Sequence, residues 1–164
     1  MPGASPTEAD REIAARVMFL PAEGLEKMRR ACFSTAWSAE GAVSCQMLAM
    51  LHSEGISGMK LDKAESDRLY DRGNQHYLQA CDAGDFTSCA SLGGMWSIKL
   101  RSLAPESDQA REWARAVVPL LEKACRAGIR RSCGGLSDIY EMGRGVGRDA
   151  IKATAYRAQE DPAP

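Results

Sequence analysis

Cysteine is the residue type of this chain whose number and spacing most clearly allow chemistry. The six cysteines fall into three pairs, namely Cys32 with Cys45, Cys81 with Cys89, and Cys125 with Cys133. The second and third pairs each span eight residues and recur 44 residues apart, whereas the first pair spans 13 residues. Because a partner recurs at a fixed offset, the spacing favours three disulfides, which form in oxidising compartments. The alternative is six reduced, buried thiols that pack as small apolar side chains.

The other candidates for chemistry are the two histidines, which could act as a base or as metal ligands near neutral pH. We expect His52 to pack in the core, because it occupies the ring position of a repeated helix. We expect His76 to be an ordinary exposed side chain near the end of the next helix. The sequence has no C-x-x-C or paired-histidine spacing for zinc and no C-x-x-C-H haem motif. We therefore expect no metal site and no cofactor.

The elements that hold the cysteines are helices with a repeated signature, Ser-Cys-x-x-Leu-small-x-x-ring. Its three copies are Ser44-Cys45 with Leu48, Ala49 and His52; Ser88-Cys89 with Leu92, Gly93 and Trp96; and Ser132-Cys133 with Leu136, Ser137 and Tyr140. The signature residues share one helix face, so this face should pack against neighbouring helices. A period of 44 residues is typical of stacked helical repeats. The predicted fold is therefore an all-α solenoid.

Capping residues and glycines divide each repeat into a helix A, which carries the signature, and a following helix B. The expected helices lie at about 6–20, 25–32, 42–54, 62–84, 87–101, 107–127 and up to 142, with a final one near Asp149. Gly73 and Pro119 lie inside the two B helices, and proline removes a helical hydrogen bond. We expect each B helix to be kinked or split at these residues.

These elements predict the organisation of the whole chain. The segments are a disordered N-terminus (1–5), an N-terminal helical hairpin that is a cap or a degenerate repeat (6–41), repeat 1 (42–84), repeat 2 (85–128), a truncated repeat 3 with a C-terminal cap (129–158) and a disordered tail (159–164). The last helix is interpreted as a cap because it lacks the closing cysteine of a helix B.

Composition disfavours several classes of partner and location. The chain has 164 residues, 45% of them hydrophobic and 26% charged, with a formal net charge of −1. Charges of both signs are interspersed, so we expect no nucleic-acid partner. The apolar run at 17–20 is too short for a membrane span or a signal-peptide core. Cysteine pairing predicts an oxidising compartment and disfavours the cytoplasm.

The third copy of the repeat resembles the Sel-1-like repeat family. The matching residues are Cys133-x-x-Leu136-x-x-x-Tyr140-x-x-Gly143-x-Gly145-Val146-x-x-Asp149-x-x-Lys152-Ala153. The phrase Ala-Cys-x-Ala-Gly before Ser-Cys is similar to the disulfide-bearing branch of that family, which includes Helicobacter-type cysteine-rich proteins and a mitochondrial cytochrome c oxidase assembly factor. Over residues 31–158, the resemblance implies an α/α right-handed superhelix that holds protein or peptide partners on its concave face and shares no catalytic centre. Together with the cysteine pairs, it implies a periplasmic or secreted protein whose signal is absent from this chain, or a protein of the mitochondrial intermembrane space.

We therefore predict a non-enzymatic protein-protein interaction module, serving as an adaptor, an assembly factor or an accessory subunit of a larger complex. Its partner is another protein or a peptide. The contact residues are expected on helix A, on the side away from the signature. Trp113 is the candidate exposed aromatic anchor, and core packing on helix B is the alternative for this residue.

The alternative function is that of a β-lactam-binding or β-lactam-hydrolysing protein, because some bacterial members of the family have been associated with β-lactams. Ser57-Gly-Met-Lys60 fits the S-x-x-K spacing of serine enzymes that acylate on β-lactams. The S-D-N and K-T-G motifs that accompany this spacing are absent from the sequence. We expect no catalytic residue and no enzyme.

Overall fold

A computed structural model describes residues 21–161, and over this range the chain forms α-helices joined by loops, with no β-strand. The helices are α1 (Ala22–Cys32), α2 (Ala39–Glu54), α3 (Lys63–Asp82), α4 (Phe86–Arg101), α5 (Asp108–Arg126), α6 (Arg130–Met142) and α7 (Ala150–Glu160). The all-α prediction is confirmed. The predicted helix 6–20 and the predicted disordered residues 1–5 and 162–164 lie outside the described residues, whereas residues 159 and 160, predicted to belong to the tail, are helical.

The chain divides into two compact units, Met1–His76 and Tyr77–Pro164, with the boundary inside α3. In the first unit α1 packs against α2, and the core is a cluster around the first cysteine pair that includes Leu69. In the second unit α4 packs on α5, α5 on α6 and α6 on α7. The core of this unit surrounds Leu136 and the third cysteine pair.

Capping side chains explain where α2 and α3 begin, and a glycine explains where α2 ends. Ser38 accepts a hydrogen bond from the backbone N–H of Gly41 at 3.1 Å, and Asp62 accepts one from Glu65 at 3.0 Å. The bond from Glu65 lowers the pKa of Asp62, because a backbone donor stabilises the carboxylate. Gly55 ends α2 with a φ of 65°, a left-handed conformation that glycine adopts without strain.

The B helices are predicted to be kinked or split, and the split is wrong, since α3 runs unbroken through Gly73 and α5 through Pro119. A Cβ at Gly73 would lie 3.1 Å from the carbonyl oxygen of Ala42 and 3.3 Å from Cβ of Cys45. Gly73 therefore lets α2 and α3 approach closely. Pro119 deprives the Arg115 carbonyl of its helical donor, but both residues are exposed, so water can satisfy that carbonyl.

The leucine of each signature is buried, as predicted. Leu48, Leu92 and Leu136 are at most 2% exposed. The small residue that follows each leucine permits close helix packing, because a Cβ at Gly93 would come within 2.9 Å of Leu121 Cδ2. The signature face of each A helix is thus committed to the core, and only its other face is available for binding.

Candidate functional site

The three predicted disulfides are present, and each links the end of one helix to the first turns of the next. The pairs are Cys32–Cys45, Cys81–Cys89 and Cys125–Cys133, with Cα–Cα distances of 4.7, 4.9 and 4.9 Å. All six cysteines are at most 4% exposed. Sulfur atoms buried to this degree have little access to a substrate or a small reductant, so these disulfides act as structural links between helices.

The outward face of each A helix lies opposite the signature. Its positions fall two residues before, and two, five and nine residues after, the signature cysteine, and all are exposed or half-buried. They are Val43, Met47, Met50 and Glu54 in α2; Thr87, Ser91, Gly94 and Ile98 in α4; and Arg131, Gly135, Asp138 and Met142 in α6. The signature keeps its chemistry in every copy, whereas the outward positions change from mainly apolar in α2 to mainly small in α4. This variation indicates that the outward faces have no common packing role.

A groove of about 670 Å³ lies between α4 and α6 in the second unit. Small residues line much of it, including Ser91 and Gly94 of α4 and Gly135 of α6. The lining also includes Ile98 and the charged side chains Arg101, Arg131, Asp138 and Glu160. The outward faces of two A helices therefore come together in one concave surface with apolar, polar and charged groups.

Gly94 lines this groove and has no packing reason to be a glycine. It lies inside α4, where glycine is about 1 kcal/mol less favourable than alanine. A Cβ at Gly94 would meet no atom within 4 Å, so no contact inside the protein requires a glycine there. The neighbouring Gly93 differs, because its Cβ would press on Leu121. Packing therefore explains Gly93, whereas no contact within the protein explains Gly94.

These adjacent glycines provide a matched pair of substitutions. We expect Gly94→Ala to raise the free energy of unfolding by about 0.5–1 kcal/mol, because alanine is the better helix former and has room. Gly93→Ala should lower it by about 1–3 kcal/mol, because the methyl group would overpack against Leu120 and Leu121. Urea denaturation of the parent and both variants measures the difference. Changes of the same sign in both variants would contradict this account of the groove.

Contacts with α7 hold the acidic side chains of the groove in place. Arg157 donates hydrogen bonds to Asp138 at 2.8 Å and to Glu160 at 2.9 Å, and these bonds raise the pKa of Arg157 above its usual value. Arg130 donates from Nε to the backbone carbonyl of Glu160 at 2.6 Å. The Glu160 carboxylate lies directly against Gly134, where a Cβ would collide with it. The carboxylates of Asp138 and Glu160 are therefore held in place along the groove by these contacts.

His76 is buried, so the prediction of an ordinary exposed side chain is wrong. It is 0% exposed, with Nε2 2.8 Å from the Cys32 carbonyl oxygen. Its Nδ1 accepts a hydrogen bond from the backbone N–H of Ser38 at 3.3 Å, so Nε2 carries the proton and donates to Cys32. Trp37 packs against the ring with a centroid distance of 4.8 Å. The extra residues between Cys32 and Cys45 cover His76, and the longer spacing of this pair is the only sequence signal for it.

His52 and Trp113, which were also singled out in the sequence, are half-buried. Contrary to the expectation that it packs in the core, His52 is not among the buried residues, and its Nδ1 lies 3.2 Å from the backbone oxygen of Lys60. Trp113 packs edge-on against Trp96, with 5.9 Å between ring centroids, and borders the core of the second unit. Trp113 therefore follows the core-packing alternative and is not the exposed anchor.

The S-x-x-K residues lie in the loop between α2 and α3. Ser57 is 9% exposed and has a φ of 55°, in the left-handed region that side chains rarely adopt. Lys60 is exposed to solvent. Whether these two residues take part in chemistry stays a prediction from the sequence.

Metal binding, membrane insertion and similarity to known proteins also bear on function. Across residues 21–161, no group of three or more His, Cys, Asp or Glu side chains could hold a metal ion. None of the seven helices of that range has the length and apolar character needed to cross a membrane. No model of a known protein family matches the chain, and no curated protein matches it significantly. The groove geometry is therefore the basis on which a function is proposed.

Proposed function

We propose that this chain is a non-enzymatic interaction module that binds an extended segment of another protein in the groove between α4 and α6. The observation that carries this proposal is the open space over Gly94, which the protein's own packing does not require. In this role the chain would serve as an adaptor, an assembly factor or an accessory subunit of a larger complex.

The surface chemistry of the groove suits an extended polypeptide. Glycine and serine side chains on α4 and α6 leave room for a ligand backbone to approach the helices. The Ser97 hydroxyl donates to the Gly94 carbonyl at 2.7 Å, so its oxygen remains able to accept a hydrogen bond. Ile98 is 62% exposed and offers an apolar contact at the same surface. Apolar contacts beside polar ones are typical of protein interfaces.

Charge also restricts the ligand. Arg101 and Arg131 contribute positive charge to the groove, whereas Asp138 and Glu160 contribute negative charge that their pairing with Arg157 partly offsets. A segment that carries both acidic and basic side chains would therefore be favoured over one with a single sign of charge. The small net charge of the whole chain, −1, adds no long-range preference for either sign.

The same proposal extends to family and location. Three copies of a buried signature with linked cysteines support a Sel-1-like repeat protein with a right-handed superhelical arrangement. Three intramolecular disulfides fit an oxidising compartment. We propose the periplasm, the extracellular space or the mitochondrial intermembrane space as the place where the partner is met.

Selection from a random peptide library on the disulfide-intact chain tests the proposal. We expect enrichment of peptides with charged residues of both signs around an apolar one. Gly94→Leu should weaken their binding at least tenfold, measured by fluorescence anisotropy, because the side chain would fill the groove. The fold should survive this change, since the Cβ position has no protein atom within 4 Å.

A leucine introduced outside the groove controls for nonspecific effects of an added apolar side chain on peptide binding. Glu112→Leu is suitable, because Glu112 is exposed on α5 and does not line the groove. This variant should bind the selected peptides like the parent. Peptides that bind the parent and Gly94→Leu equally well, or a library that yields no enriched peptide, would refute the groove as the binding site.

The left-handed backbone at Ser57 is the one observation that favours the β-lactam alternative, because strained backbone is common at functional residues. A protein of that kind should gain the mass of an opened β-lactam when it is incubated with a chromogenic cephalosporin. Ser57→Ala should abolish this mass gain. Intact mass spectrometry of the parent and this variant decides between acylation and the interaction module proposed above.

A further inference from the structure

The segment between α1 and α2, residues 33–38, is held by two side chains of α3 that lie one turn apart. Arg72 donates from Nε to the Cys32 carbonyl at 2.7 Å and from Nη2 to the Ser34 carbonyl at 3.4 Å. His76 donates to the same Cys32 carbonyl and accepts from the Ser38 N–H. The backbone of this segment is therefore fixed from within the first unit.

Two aromatic side chains of this fixed segment are partly exposed to solvent. Phe33 is 55% exposed and Trp37 is 42% exposed. The guanidinium carbon of Arg72 lies 5.1 Å from the centre of the Phe33 ring and 5.8 Å from that of Trp37. The cation holds both rings without burying them. A rigid exposed surface of tryptophan and arginine has the composition of binding hot spots.

Exposed residues of both signs of charge flank the two rings in the chain. Arg29 lies four residues before Phe33 on the same side of α1, since the Phe33 N–H still donates to the Arg29 carbonyl at 2.9 Å, and Arg29 Nη2 donates to Met59 Sδ at 3.8 Å. Arg30 is also exposed, although it pairs with Glu26 at 3.7 Å. Glu40 and Asp71, which precede Gly41 and Arg72 in the chain, are exposed acidic residues. Arg72 is the charged group that the structure places against both rings.

We propose that Phe33, Trp37, Arg29 and Arg72 form a second docking surface, the aromatic-arginine surface, which binds an acidic peptide segment that carries one large apolar side chain. The apolar side chain would contact Phe33 and Trp37, and the carboxylates would face Arg29 and Arg72. An acidic peptide is favoured over a polyanionic membrane or nucleic acid, because few cations lie here and the whole chain has a net charge of −1. This surface lies in the first unit and is independent of the proposed groove in the second.

Two fluorescein-labelled peptides test this proposal. One peptide has a single phenylalanine within a run of glutamates, and the other has lysine in place of every glutamate. Fluorescence anisotropy should show binding of the acidic peptide only, with an affinity that falls as salt is added. Phe33→Ala and Arg29→Glu should each weaken binding about tenfold or more. Neither change removes a hydrogen bond that Arg72 or His76 makes to the segment. Both variants should therefore keep the parent's circular dichroism spectrum and melt only slightly lower, since Phe33→Ala loses one ring contact with Arg72 and Arg29→Glu loses a contact with Met59.

Matched control variants show whether binding depends on this surface or only on the overall charge of α1. Lys27→Glu makes the same charge reversal on exposed α1 two residues from Arg29, on a different side of the helix, and should bind nearly like the parent. Gly94→Leu should not affect this peptide, so the two binding proposals can fail separately. Equal binding of both peptides, no binding of the acidic one, or equal weakening by Lys27→Glu would overturn the proposal. The proposal would also be overturned if the parent were a dimer and Phe33→Ala a monomer. The occupant of this surface would then be a second copy of the chain.

Discussion

Reduction of the three disulfides is expected to lower the free energy of unfolding by about 8 kcal/mol. On the chain-entropy model, each eight-residue ring contributes about 2.5 kcal/mol and the 13-residue ring about 3 kcal/mol. A domain of ordinary stability has about 5–15 kcal/mol in total. The reduced chain should therefore lose much of its helical structure well below the melting temperature of the oxidised chain. Thermal unfolding followed by circular dichroism, with and without prior reduction in denaturant, measures this loss.

The accessibility of the sulfurs adds a kinetic expectation. Because the cysteines are at most 4% exposed, a reductant should react slowly under native conditions and rapidly once urea opens the fold. A double variant, Cys81→Ala with Cys89→Ala, removes one disulfide and should lower the free energy of unfolding by about 2.5 kcal/mol. Six thiols detected in the unreduced protein under denaturing conditions, or an unchanged melting temperature after complete reduction, would contradict this interpretation.

The repeated parts of the fold are predictable from the sequence because each copy obeys the same local rules. The signature leucines have to be buried, since residues three or four apart on a helix share a face. The cysteine pairs are predictable for a related reason, because their offset recurs. Periodicity alone therefore identifies the inner face of every A helix.

Residues outside the repeated signature are predicted less well, because their environment depends on contacts that the signature does not describe. His76 contacts the carbonyl of Cys32, which lies 44 residues earlier in the chain, and no local sequence pattern predicts such a hydrogen bond. Pro119 does not break its helix, because its position on the exposed side of α5 leaves the freed carbonyl accessible to water. Gly73 leaves its helix intact for another reason, since it serves a close contact between helices and not a break.

The candidate site is only partly accessible to sequence reasoning. The prediction that contacts lie on the outward face of helix A applies equally to all three A helices. The groove becomes identifiable through Gly94, because adjacent glycines look alike in a sequence and differ only in what surrounds them. The sequence could not place Trp113 either. A tryptophan on an amphipathic helix fits both a binding interface and the border of the core, and the structure puts Trp113 at the core border.

Gly145→Ala is expected to be among the most destabilising single substitutions in the second unit, by about 3–4 kcal/mol. Gly145 has a φ of 67°, a conformation that costs a side chain about 1–2 kcal/mol. A Cβ there would also collide with the Ala110 carbonyl oxygen and lie 2.8 Å from Cβ of Ala114. The loop cannot easily retreat, because the Gly145 N–H donates to the Pro105 carbonyl at 2.8 Å. Overpacking therefore adds to the conformational strain.

Two neighbouring glycines separate these contributions. Gly143 has a φ of 65°, but its Cβ would have only ordinary contacts at 3.4 Å, so Gly143→Ala should cost about 1–2 kcal/mol. A Cβ at Gly147 would meet nothing within 4 Å, and Gly147→Ala should change stability by less than about 0.5 kcal/mol. Urea denaturation of the three variants should rank Gly145 first, Gly143 second and Gly147 last. The contrary result is that Gly147→Ala lowers the free energy of unfolding as much as Gly145→Ala does. That result would mean that the loop needs glycine for flexibility, and that the close contact between Gly145 and α5 is not the reason for the glycine.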